Sequence, residues 1–120
     1  MTTARSLPPQ SWSRALEDLA LARRGAHITL VIDWESAGEE VEAHDVLLES
    51  MSYDPHDDAL EILARHPSPS RPAILRHVVD SPRAVEVDSP AGIVPRELRV
   101  QGADGVWTIV SLTLQPALSG

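Results

Sequence analysis

The densest group of side chains able to do chemistry is Asp54-Pro55-His56-Asp57-Asp58. Carboxylates and an imidazole on one tight loop are suitable donors for a hard divalent cation, with Asp45 or Glu61 as further ligands. Asp54, His56 and Asp58 are the candidate metal ligands, and a metal-dependent or small-ligand enzyme would use the same three. The order is not that of an EF-hand loop, because the central Gly and the distal Glu are missing. The same residue types also build hairpin turns, and an Asx-turn from Asp54 around Pro55 is the competing use of that carboxylate.

Other reactive constellations are thin. The five histidines, His27, His44, His56, His66 and His77, contain no pair at the H-E-x-x-H spacing of zinc proteases. His27 and His77 are expected to face outward or to lie at a sheet edge. His44 and Asp45 are neighbours on a strand, where alternation sends them to opposite faces and prevents a dyad. No Ser sits in G-x-S-x-G, and neither G-x-x-x-x-G-K-[ST] nor G-x-G-x-x-G occurs. The acidic pairs Asp57-Asp58 and Glu39-Glu40 lie in loops, without the apolar surroundings that raise a catalytic pKa. Cys is absent, which excludes disulfides, thiolate metal sites and a Cys nucleophile. No cofactor is expected.

Charge is unevenly spread over the 120 residues, whose formal net charge is −8. All ten basic residues are Arg. Residues 25–64 contain no Arg and the acids Asp33, Glu35, Glu39, Glu40, Glu42, Asp45, Glu49, Asp54, Asp57, Asp58 and Glu61. Such a block repels phosphate, so neither nucleic acid nor an anionic membrane is an expected partner. A basic protein surface or a divalent cation is permitted. No apolar run reaches the ~20 residues that span a bilayer, and residues 1–24 lack the pattern of a signal peptide. A cytoplasmic protein is therefore expected.

These groups are positioned by one helix and a run of strands. Trp12, Ala15, Leu16, Leu19, Ala20 and Ala22 share one helical stripe. Ser6 is the expected N-cap, Pro8 and Pro9 suit the first turn, and Gly25 suits the C′ position. From His27 to Trp34 the period becomes two, with Ile28, Leu30, Ile32 and Trp34 on one face. Further strands are expected over 41–48, 51–54, 59–65, 73–79, 84–88, 97–101 and 106–114. Pro55 to Asp58 and Gly102 to Gly105 serve as hairpin turns. His66 to Pro72, with three Pro, is expected to be an exposed loop. On the last strand Thr108, Val110 and Leu112 share a face opposite Trp107, which makes Trp107 a candidate interface anchor. Short connections require antiparallel pairing. The fold class is α+β: an N-terminal helix packed on a strongly bent antiparallel sheet, or an incomplete small barrel, of about seven strands. One domain spans 1–120, ordered over about 6–115.

The chain also resembles a widespread bacterial family of small proteins classed as a domain of unknown function. The likeness is carried by Pro8, Pro9 and Trp12, by the strand from His27 to Ile32, and by the acidic stretch from Val41 to Ile62. It continues through Arg76 to Asp88 and Glu97 to Leu112. It implies one compact domain and no particular activity. The leading expectation is a non-enzymatic binding or interaction module with an acidic face at Glu39, Glu40 and Glu42. The alternatives are an enzyme at the Asp54 loop and a structural subunit of a homo-oligomer whose edge strand pairs with a second copy, with Trp107 on an exposed face.

Overall fold

A computed structural model describes residues 2–35, 37–68, 74–90 and 95–112. The expected helix is present as α1, Trp12–Arg23, preceded by a single 3₁₀ turn at Pro9–Ser11. Its stripe buries Trp12, Leu16, Leu19 and Ala20, together with Arg23. Gly25 ends it at φ +81, a backbone geometry in which a side chain would strain. Ser6 is not the N-cap. It ends a strand, and the cap position is held by Ser11, whose hydroxyl donates to the Pro8 carbonyl at 2.8 Å. The prolines close a turn of their own before the helix begins, which moves its start five residues along.

Eight strands form one sheet among the described residues: β1 (Thr2–Ser6), β2 (His27–Trp34), β3 (Gly38–Asp54), β4 (Ala59–Arg65), β5 (Ile74–Asp80), β6 (Ala84–Pro90), β7 (Glu97–Gln101) and β8 (Trp107–Ser111). Their order is β1-β6-β7-β8-β2-β3-β4-β5, and every pairing is antiparallel. The sheet is strongly bent and does not close, so the architecture is α+β. β1 is not among the expected strands. Its sequence, Thr-Thr-Ala-Arg-Ser, has no apolar alternation, because it is held by a backbone ladder to β6.

The two strands expected over 41–48 and 51–54 are one 17-residue strand. β3 stays continuous by absorbing extra residues as bulges, at three places where its register against β2 or β4 shifts. The bend brings the far edge back over the sheet. Val79 and the Asp80 carbonyl on β5 lie against Gly102, between β7 and β8, although β5 and β8 are separated in the sheet by three strands. Within this curl Ile28, Leu30, Leu48, Ile62, Leu98 and Val110 form the core, and α1 packs against it, chiefly on β3. The Pro-rich connection is irregular at His66 to Ser68. Its remainder, and the expected strand end at 113–114, lie outside the described residues.

Candidate functional site

The sheet register decides which polar side chains enter the barrel. On β4, Leu60, Ile62 and Ala64 are fully buried, and they pair with Val79, His77 and Leu75 on β5. Paired residues share a face, so His77 points inward. On β8, Thr108 pairs with Ile32 on β2 and Val100 on β7, both buried, so it too faces inward. The two meet across the bend: His77 Nε2 and Thr108 Oγ1 are 3.0 Å apart. Thr108 is 3% exposed. His77 does lie on an edge strand, as expected, but it does not face outward.

This pair forms one wall of a cavity of about 420 Å³ at the open end of the barrel. Trp34 stands at its rim, 37% exposed, and Ile32, Val79 and Val106 supply apolar wall. Acidic residues line it from three segments: Glu42 on β3, Asp80 at the end of β5, and Asp104 in the turn before β8, where Asp104 Oδ1 accepts the Val106 N–H at 3.0 Å. Glu42 arrives there through a bulge. Leu30 pairs with Ala43 and Val31 with Val41, which leaves Glu42 with no residue opposite it on β2. Burial lowers the His77 pKa below its ordinary value, and the Glu42 charge opposes that shift.

The Asp54 loop is built differently. Asp54 Oδ1 accepts the backbone N–H groups of His56 at 2.9 Å and Asp57 at 3.4 Å, which is the Asx-turn. Asp58, at φ +51, accepts the Tyr53 hydroxyl at 2.6 Å. That hydrogen bond is the main cause of a raised Tyr53 pKa, with lesser contributions from burial and from the Asp58 and Asp54 charges. Asp54 and Asp58 are thus both engaged within the hairpin. Among the described residues no three His, Asp or Glu side chains come together as a group that could hold a metal ion.

Glu39, Glu40 and Glu42 lie on the outer half of β3, all exposed. Trp107 faces outward and is half-buried, with the Arg99 guanidinium 5.1 Å from its ring centroid. His44 and Asp45 do not separate to opposite faces. A bulge in β3 between Ala43 and Val46 breaks the alternation, and both reach outward-facing residues of β2. Asp45, at φ +56, pairs with His27, and His44 Nδ1 lies 3.2 Å from Thr29 Oγ1.

The geometry defines a class: a small α+β protein with a half-open antiparallel barrel, plugged on one side by a helix and open to a polar-lined cavity at one end. More narrowly, the chain belongs to the DUF5335 family, a family of unknown function, whose match covers residues 3–119. No curated protein and no solved structure matches the chain. Among the described residues no helix is long and apolar enough to cross a membrane.

Proposed function

We propose that this protein is a small-ligand-binding module and that the barrel-mouth cavity is its site. One observation carries the reading: a cavity of about 420 Å³ with a mixed lining, in which Ile32, Val79 and Val106 stand beside the His77–Thr108 pair, Trp34 and three acidic residues. Ligand pockets combine this size with mostly apolar walls and a few placed polar groups. The arrangement suits binding better than nucleophilic catalysis. The Thr108 hydroxyl lies within hydrogen-bond reach of His77 but is only 3% exposed, and that burial places it poorly to reach a substrate.

A fragment screen on the isotope-labelled full chain tests this. Binding fragments are expected to shift the Trp34 indole and Thr108 methyl resonances together. Ala103→Trp, which adds bulk at an exposed lining position, is expected to remove those shifts with the fold intact. A library that leaves both resonances unmoved would overturn the assignment, as would binding indifferent to Ala103→Trp.

A further inference from the structure

We propose that the cavity selects a small organic cation, an amine or quaternary ammonium compound with an apolar flank. This rests on the ligand-binding reading above. Glu42, Asp80 and Asp104 line the space from three separate chain segments, and the Glu42 charge acts on His77, so the charged residues of the lining are acidic. None of the described residues lining it is Arg, and the chain contains no Lys. An anionic ligand would therefore meet like charge without a counter-charge on the wall.

The cation must also be larger than a metal ion. Glu42, His77, Asp80 and Asp104 do not form a group that could hold a metal. They stand around a volume of about 420 Å³ whose remaining wall includes Ile32, Val79 and Val106. An ammonium centre carrying carbon substituents fits that mixture. Its diffuse charge is satisfied by carboxylates at a distance, its methyl or methylene groups contact the apolar wall, and the Trp34 indole lies at the rim within the same lining. His77 adds no opposing charge near neutral pH, because burial favours its uncharged form.

Matched probes separate the ligand class from the site itself. Choline and benzylamine are the cations, dimethylbutanol and benzyl alcohol their neutral counterparts, and dimethylbutyrate and benzoate the anions. Each is titrated into the full chain while the Trp34 indole and Thr108 methyl resonances are followed. At least one cation is expected to shift both, about tenfold more tightly than its neutral counterpart, with its anion silent. Glu42→Gln and Asp104→Asn, each checked for a folded spectrum, are expected to weaken the cation several-fold and leave the neutral probe unchanged. Neutral or anionic probes binding as tightly as the cations would overturn charge selection and leave the cavity a ligand site. So would silent cations beside a library fragment that binds. Cation binding insensitive to both substitutions would overturn the proposal as well. Failure of every probe and every fragment to move these resonances would remove the ligand-binding reading beneath it.

Discussion

His77 is an imidazole placed where the strand register demands an apolar side chain. Its neighbours in phase, Leu75 and Val79, pack into the core, and its partner across the ladder is Ile62. Burial lowers its pKa from 6.5, and the Glu42 carboxylate only partly offsets this. The unfolded chain therefore takes up a proton before the folded one does as pH falls. Stability from this residue is fully present above about pH 6.5 and is lost as pH falls through that value towards the lower folded one. His77→Gln can retain a hydrogen bond to Thr108 and has nothing to titrate. Denaturant melts across this range are expected to show a smaller fall in stability for His77→Gln than for the native chain. Parallel pH curves for the two proteins would show that the ring is hydrated and uncharged by nothing in the fold. Asp80, Asp104 and Glu42 are the other ionisable groups lining the cavity, and all three are retained in His77→Gln.

At the scale of elements, the sequence exposed most of the architecture because most strands carry their own signal. The alternation Ile28, Leu30, Ile32 fixes the inward face of β2, and the Gly102 to Gly105 turn fixes the hairpin of β7 and β8. Two kinds of feature escaped this logic. A strand such as β1, whose described pairing is a backbone ladder to β6, needs no apolar period. A bulge shifts the face of the residues beyond it, so period-two reasoning failed at His44 and Asp45, and alternation alone does not place Glu42, which another bulge carries to the cavity. His77 was legible in principle, since Leu75, His77 and Val79 are in phase. The adjacent apolar residues Ile74 and Val78 hid that phase. The approach of β5 to β8 was not legible at all, because it depends on the curvature of the whole sheet.

That approach can be tested at Gly102. A methyl group added there would come within 3.0 Å of Asp104 Oδ1 and 3.3 Å of the Val79 side chain. Asp104 Oδ1 is not free to retreat without cost, since it accepts the Val106 N–H at 3.0 Å. Gly102→Ala is thus expected to destabilise by about 1–3 kcal/mol, the usual range for overpacking. It should also shift the Thr108 resonances as the turn moves away from β5. Unchanged stability and unchanged Thr108 signals would mean that the bend is looser than the contact at Gly102 implies.

For the whole molecule, an unclosed sheet leaves backbone hydrogen-bonding edges. Apart from the terminal strands β1 and β5, the outer half of β3 is such an edge. β4 pairs with β3 only from Leu47 onward, so Gly38 to Val46 has a described strand partner on one side alone, β2. Val41 is exposed on this stretch, between Glu40 and Glu42. An exposed edge carrying an apolar side chain is a template for pairing with a second copy. The acids flanking Val41 oppose that pairing, because apposing identical edges would bring like charges together. The acidic stretch is therefore expected to keep this edge from pairing. Replacing Glu39, Glu40 and Glu42 together by Gln is expected to make the weight-average mass rise with concentration in light scattering. The native chain should remain near 13.0 kDa at low salt. Salt supplies an independent arm: at about 1 M the Debye length falls to roughly 3 Å, and the native chain should then begin to associate as the triple variant does. Val41→Pro added to the triple variant would break the edge ladder and should restore the monomer. A triple variant that stays monomeric wherever the native chain does would show that charge is not what keeps this edge apart.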